Sequence, residues 1–333
     1  MAVGNGRVRK CVERSCAWLP PGLVQRLQTE LPDTDILVRE PMSGHTSFRI
    51  GGPADVLLLP HSIADLSRVV SLARELDLGF TTIGNGSNLL VKDGGLRGLV
   101  LKVAENLAEI RFEGTRAYAQ SGARLGTVSQ QAALHGLAGL EFSVGIPGTI
   151  GGGVMMNAGA YGGELKEVVT RVTVVDEQGE LRDLYPDELD FGYRRSVLQT
   201  KPWIVAEIEM ELRPEDPERI LALMSHNNYL RESKQPLAFP SAGSIFKRPP
   251  GKFVGPMVEQ LGLKGYTIGG AQVSEKHSGF IINRGEARAA DVLALIQHVR
   301  EQVQGRFDVW LETEVRIIGE ETTPEVGETL PGG

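Results

Sequence analysis

Apolar and polar residues alternate along residues 203–212 with the period of a half-buried strand. Short apolar runs at 55–59, 81–83, 99–101, 118–121 and 172–175 predict further strands. Glu177-Gln178-Gly179-Glu180 predicts a hairpin turn that joins 172–175 to 181–184. Helical periodicity is rarer. Ser62 with Asp65 forms a capping box, after which Ile63, Leu66, Val69, Val70, Ala73 and Leu76 share one face. Residues 127–135, stopped by Gly136, predict a second helix, and 218–231, after Pro217, a third. A fourth covers 291–303, with Val292, Leu295, Ile296 and Val299 on its apolar face. The mixture is neither strict strand–helix alternation nor all-β, so it predicts an α+β fold.

Breaks in this pattern suggest boundaries. Residues 1–20 are polar and irregular, 213–217 (Arg-Pro-Glu-Asp-Pro) read as a linker, and 319–333 read as a disordered tail. At about 150 residues per domain, 333 residues make two or three domains, enough for a full core without disulfides or metal. The formal charge of −7 argues against bulk binding to nucleic acid or acidic membrane. No apolar run is long enough to span a bilayer. The basic positions Arg7, Arg9, Lys10 and Arg14 precede no apolar signal region, so a cytoplasmic protein is expected. Cys11 and Cys16 frame no disulfide scaffold, and no metal cluster accompanies them.

Glycine changes the picture. There are 41, about 12% of the chain against a usual 7%, and they cluster. Gly84-Asn85-Gly86-Ser87-Asn88 directly follows a predicted strand and gathers backbone amides into a nest suited to a diphosphate. Residues 145–153 form a second glycine-rich loop, which 157–162 continue. Such loops are often plain turns, and neither the G-x-G-x-x-G nor the G-x-x-x-x-G-K-[ST] fingerprint occurs. On the residues alone, turn and binding loop stay open.

Residues 83–91 (IGNGSNLLV), 146–152 (IPGTIGG), 157–162 (NAGAYG) and 45–54 (HTSFRIGGPA) resemble segments of the UDP-N-acetylenolpyruvoylglucosamine reductase family, from about residue 40 to 318. The resemblance implies an FAD-binding domain of the vanillyl-alcohol oxidase/p-cresol methylhydroxylase type over 21–214, in two α+β lobes (21–103 and 104–214). A smaller α+β substrate domain would cover 215–318. It implies non-covalent FAD, since the loop after Gly84 holds no His or Cys. Cofactor contacts would come from Gly84, Asn85, Gly86, Ser87, Asn88, Leu89, Gly122, Ile146, Pro147, Gly148, Thr149, Gly151, Gly152 and Gly159. His45 reads as a structural hydrogen-bonding residue. The implied activity is NADPH-dependent reduction of UDP-N-acetylglucosamine enolpyruvate to UDP-N-acetylmuramate, in peptidoglycan precursor synthesis. Its partners would be these small molecules, with no obligate protein partner.

The same resemblance implies the chemistry. Arg194, in Phe191-Gly192-Tyr193-Arg194-Arg195-Ser196, matches the family's Tyr-Arg-x-Ser and would fork onto the substrate carboxylate. Ser244, in Gly243-Ser244-Ile245-Phe246-Lys247-Arg248-Pro249, would donate the proton, with Lys247 within sequence reach. Arg248 departs from the family's Asn. Glu314, in Leu311-Glu312-Thr313-Glu314-Val315-Arg316, would stabilise developing charge; as a strand, this segment puts Glu314 beside Arg316, where a simple ion pair is the alternative. Tyr193, Lys234 and His277 are the implied substrate contacts. About 50 positions separate Arg194 from Ser244, as in the shorter class that lacks a capping tyrosine. Two rivals remain: a flavin oxidase acting on alcohols, and a flavin-binding protein without turnover.

Overall fold

The computed structural model of the protein describes residues 19–322. Cys11, Cys16, the basic N-terminal positions and tail residues 323–333 lie outside the described residues. The first lobe comprises α1 (Leu23–Glu30), β1 (Asp35–Pro41), β2 (Pro53–Leu59), α2 (Ile63–Glu75), β3 (Phe80–Ile83), β4 (Leu89–Val91) and β5 (Leu96–Lys102). Its sheet runs β1-β2-β5-β3, with β2 and β3 both parallel to β5. The chain therefore leaves β3 and β5 at the same edge, the carboxyl edge where open sheets bind ligands. The capping box forms as expected: Ser62 Oγ accepts from Asp65 N at 3.1 Å, and Asp65 Oδ2 accepts from Ser62 N at 3.0 Å. Leu66, Val69, Val70 and Ala73 then bury against Val56, Leu58 and Leu99.

The second lobe holds β6 (Ile110–Glu113), β7 (Arg116–Gln120), α3 (Leu125–Leu134), α4 (Ile150–Met155), β8 (Val169–Val175), β9 (Leu181–Leu184), β10 (Ile204–Glu211) and α5 (Pro217–Lys234). Its five strands run β9-β8-β10-β7-β6, all antiparallel, and the expected hairpin pairs Val175 with Leu181. Helix α5 follows the linker, yet its Ile220 and Met224 pack with Ala133 and Ala138 of this lobe.

The third lobe has β11 (Ser241–Ser244), α6 (Val254–Gln260), β12 (Thr267–Ile268), β13 (Ala271–Val273), β14 (Phe280–Asn283), α7 (Ala289–Phe307) and β15 (Arg316–Ile318). Its sheet runs β11-β14-β13-β12, and α7 covers it with Val292, Leu295, Ile296, Val299 and Val303. This core also takes in Phe48, Ile50 and Leu90 from the first lobe. The strand β15 does not join that sheet; it pairs in parallel with β4.

Three expectations change. Residues 145–153 are not one loop: Thr149 Oγ1 accepts from Gly152 N at 3.2 Å and starts α4, in which Gly151 packs where a Cβ would come within 2.7 Å of Ser121 Cβ. Residues 310–317 are not one strand, because Glu314 and Val315 turn their amides to Ile245 O before β15 begins. Gly319–Glu321 are not tail. Glu320 exchanges backbone hydrogen bonds with Gly94 and Gly95, and Lys92 pairs with Glu321 at 2.7 Å. Helices α1 and α6 were not predicted; neither has a side-chain cap, and each is short.

One buried acid sets a pH response. Asp55, on β2 and 4% exposed, accepts from Arg97 Nη1 at 2.8 Å and from Gly98 N at 2.9 Å. Burial outweighs the pull of Arg97 and raises its pKa to about 6. The folded state thus holds this proton more tightly than the unfolded chain. The resulting stability is full below the ordinary carboxylate pKa and is lost as pH rises through about 6. Denaturant melts of wild type and Asp55→Asn should show their stability difference shifting against wild type by on the order of 3 kcal/mol between pH 4 and pH 7. A pH-independent difference would contradict this.

Candidate active site

Two glycine segments face each other across a cleft of about 510 Å³. Its lining includes Ser47, Asn85, Ser87, Lys102, Arg124 and Ile146, with Pro147 and Gly148 beside them. Among the described residues, none of the five amides from Gly84 to Asn88 donates a hydrogen bond within the protein; nor do those of Gly148 and Thr149. Amides left unpaired at the carboxyl edge of a parallel sheet are a ready anion site. Gly86 must be glycine: its φ is +63°, and a Cβ would fall 2.3 Å from His45 O. Helix α3 adds to the field. It has no side-chain cap, its first-turn residues Gly126 and Thr127 line the cleft, and their amides donate to nothing.

Other expected cofactor residues are already engaged. The Gly122 amide donates to Leu107 O at 2.8 Å, and a Cβ there would strike Ala104 O at 1.8 Å. The Gly151 amide donates to Ser121 O, and Leu89 sits in β4 opposite Arg316. Gly84, Thr149, Gly151 and Gly152 line a second, smaller cavity of about 60 Å³ with Ser121, Met155 and Trp203. The buried Ser121 hydroxyl has no partner there.

The fold brings Arg194 and Glu314 into contact and sets Ser244 one residue from a backbone partner of Glu314. Arg194 Nε donates to Glu314 Oε1 at 2.8 Å, across 120 positions of sequence, and Arg194 Nη2 donates to Gly159 O at 2.9 Å. The Glu314 amide donates to Ile245 O at 2.8 Å, the carbonyl of the residue after Ser244. Asn88 Nδ2 donates to Glu314 O at 3.1 Å, so the first glycine segment reaches the same cluster. Arg194 stands at φ +54°, in a tight turn closed by Gly192 and Arg195. The anticipated neighbour of Glu314, Arg316, points instead at Met155 Sδ. Lys247 does not serve Ser244: it pairs with Glu312 at 3.1 Å, while Arg248 stacks 3.6 Å over the Phe253 ring.

Two of the three substrate-side candidates, His277 and Tyr193, stand beside these residues. His277 and Ser244 flank Gly279, where a Cβ would lie 3.0 Å from His277 Cε1 and 4.0 Å from Ser244 Oγ. Burial lowers the His277 pKa, and its Nδ1 accepts from Gly279 N at 3.1 Å, so the neutral ring carries its proton on Nε2. Tyr193 is exposed, with its ring 5.3 Å from the Arg194 guanidinium. Lys234 is exposed at the end of α5.

Sequence reasoning missed Asn157. It is fully buried at φ +41°; its Nδ2 donates to Glu164 Oε2 at 2.6 Å and Gly192 O at 3.0 Å, while its Oδ1 accepts from Lys166 N at 3.0 Å. It therefore fixes the turn that carries Arg194. The signal was an Asn opening a glycine-rich segment, a position that favours left-handed backbone. Among the described residues no group of His, Cys, Asp and Glu could hold a metal ion, and no helix is long and apolar enough to cross a membrane.

Comparison with known proteins gives this geometry a context. Residues 54–185 match the model of an FAD binding domain, and 235–318 match that of the UDP-N-acetylenolpyruvoylglucosamine reductase C-terminal domain. The chain is 47% identical to the UDP-N-acetylenolpyruvoylglucosamine reductase of Alkaliphilus metalliredigens over 298 residues, covering 90% of this chain and 98% of that one. It is 48% identical to that of Pediococcus pentosaceus over 297 residues, 89% and 99% of the two chains. The crystal structure of the Thermus caldophilus enzyme aligns with a TM-score of 0.73 at 34% identity, over 85% of this chain and 98% of that one.

Asn157→Ala would leave Lys166 N without its partner and would remove one of two donors from both Gly192 O, which also accepts from Arg195 N, and Glu164 Oε2, which also pairs with Lys166 Nζ. A loss of about 2–4 kcal/mol in denaturant stability is expected. A change below 0.5 kcal/mol would show that the turn holds without it.

Proposed function

The chain belongs to the UDP-N-acetylenolpyruvoylglucosamine reductase family, and from that premise we propose how its residues carry out the reduction. It is an FAD-containing oxidoreductase acting on UDP-N-acetylenolpyruvoylglucosamine, a reaction of peptidoglycan precursor synthesis. The residues fit the cofactor. The unpaired amides of residues 84–88, Gly148 and the first turn of α3 suit its diphosphate, and side chains at Gly84, Gly86 or Gly148 would intrude on that cradle or its support. Asn85, Ser87, Ile146 and Pro147 line the same cleft. The flavin, when bound and reduced by NADPH, supplies the hydride for the terminal methylene of the enolpyruvyl group.

One observation supports this mechanism above the rest: Arg194 and Glu314 meet across the second and third lobes, and the Glu314 amide bonds to Ile245, the residue after Ser244. Hydride arrival at the methylene leaves negative charge on the adjacent carbon and its carboxylate. Arg194 spends Nε on Glu314 and one Nη2 hydrogen on Gly159. Its Nη1 hydrogens and the other Nη2 hydrogen remain to fork onto the substrate carboxylate. Glu314 steadies that fork and adds to the polar wall around the developing enolate. Ser244 gives its hydroxyl proton to the carbon. A serine hydroxyl is a weak acid, and only a carbon as basic as an enolate can take its proton. His277 Nε2–H and Tyr193 offer polar contacts to the sugar nucleotide from the rim, and Lys234 adds charge there.

The two halves of the reaction separate these roles. In Ser244→Ala, stopped-flow reduction of the flavin by NADPH should stay near wild type, while reoxidation by the enolpyruvyl substrate falls about a hundredfold or more. Equal loss in both halves would make Ser244 structural. Arg194→Lys should cost about tenfold or more in kcat/KM for the enolpyruvyl substrate, because an ammonium cannot supply the planar fork. Near-normal turnover would remove the carboxylate role.

A further inference from the structure

Lys102 has no part in the chemistry above, yet it lines the cleft with Asn85, Ser87 and Gly148. It is the last residue of β5, paired in register with Ile83, the residue before the glycine segment. Lysine and segment therefore leave neighbouring parallel strands at one edge. Lys102 Nζ lies 3.3 Å from His45 Nδ1, and His45 Nε2 lies 3.1 Å from Glu40 Oε1. An ammonium can only donate, so Nδ1 accepts, and the imidazole proton sits on Nε2, donated to Glu40. His45 is thereby fixed in one tautomer between the two charges. Its ring is mostly buried, with the side chain 12% exposed. Its backbone carbonyl is the atom that a side chain at Gly86 would strike, so the support for the lysine and the amide cradle are one unit.

Among the described residues, no carboxylate lies within ion-pair distance of Lys102. One ammonium hydrogen serves His45, and two remain. Arg124 and Glu105 also line the cleft, so its facing charges sum to positive. None of Arg194, Ser244 or Glu314 lines it, which sets this charge apart from the reacting atoms.

We propose that Lys102, oriented by His45 and Glu40, is the anchoring cation for the diphosphate of the bound flavin dinucleotide. This rests on the reading that the cleft holds that cofactor. The sugar nucleotide also carries a diphosphate, so the test must separate the two. Holoenzyme is diluted and flavin release is followed by the recovery of flavin fluorescence, for wild type, Lys102→Met, Lys102→Arg and His45→Phe. Release from Lys102→Met should be about tenfold faster, Lys102→Arg should restore most of the retention, and His45→Phe should fall between. Added salt should speed release from wild type more than from Lys102→Met, a response that a purely structural lysine would not produce. With FAD saturating, KM for the sugar nucleotide should be unchanged in Lys102→Met.

Equal release rates and equal salt responses in wild type and Lys102→Met would overturn the proposal. So would a raised KM for the sugar nucleotide with unaltered flavin release, since the lysine would then serve the substrate. If Lys102→Met does not fold, the same measurements on Lys102→Gln decide. A wild-type protein with no flavin absorbance would instead sink the cofactor reading beneath it.

Discussion

Glu314 is the point at which the three lobes are tied. Its amide donates to Ile245 in the third lobe, its carbonyl accepts from Asn88 in the first, and its carboxylate accepts from Arg194 in the second. Through these three bonds a single residue holds together segments of all three lobes. The backbone bonds explain why residues 311–315 abandon the regular strand that their alternation suggests. Turning two amides to Ile245 satisfies buried polar groups that a straight strand would leave unpaired at this junction.

Around that junction, charge is distributed by function. The chain carries a net negative charge, yet the cleft gathers unpaired amides, an uncapped helix start and two cationic side chains. Such a local field survives an acidic whole because backbone dipoles are fixed by the fold and act at close range. At the Arg194–Glu314 pair the balance differs. There, one guanidinium is partly neutralised by a carboxylate, which keeps a half-buried cation tolerable.

Much of this was legible in the sequence, for reasons that can be named. Strands and helices with a clean period, such as 62–76 and 203–212, fold as read, because one face must bury. The glycine motifs located the cleft, since only glycine tolerates the backbone at Gly86. Short elements were not legible: α1 and α6 lack caps, and Thr149 nucleates a helix inside what looks like a flexible loop. The glycines at 122 and 151 were legible as special but not in kind, because close packing and ligand approach leave the same mark in a sequence. Pairings such as Arg194 with Glu314, or Lys102 with His45, depend on topology alone, and no local pattern announces them.

The parallel pairing of β15 with β4 joins residues near positions 90 and 317. The first two lobes have cores composed almost wholly of residues before 213. They can pack while the chain is still emerging from the ribosome, since domains generally fold as units from the N-terminal end. Glu314 lies within the final described segment, so its pairing with Arg194 closes only when nearly all the described residues are available. A chain shortened before Glu314 would lose this cluster and also the partner strand of β4, which directly follows the glycine segment. Residues made near the end of synthesis thus complete the surroundings of the glycine segment, so cleft and cluster reach their final form together.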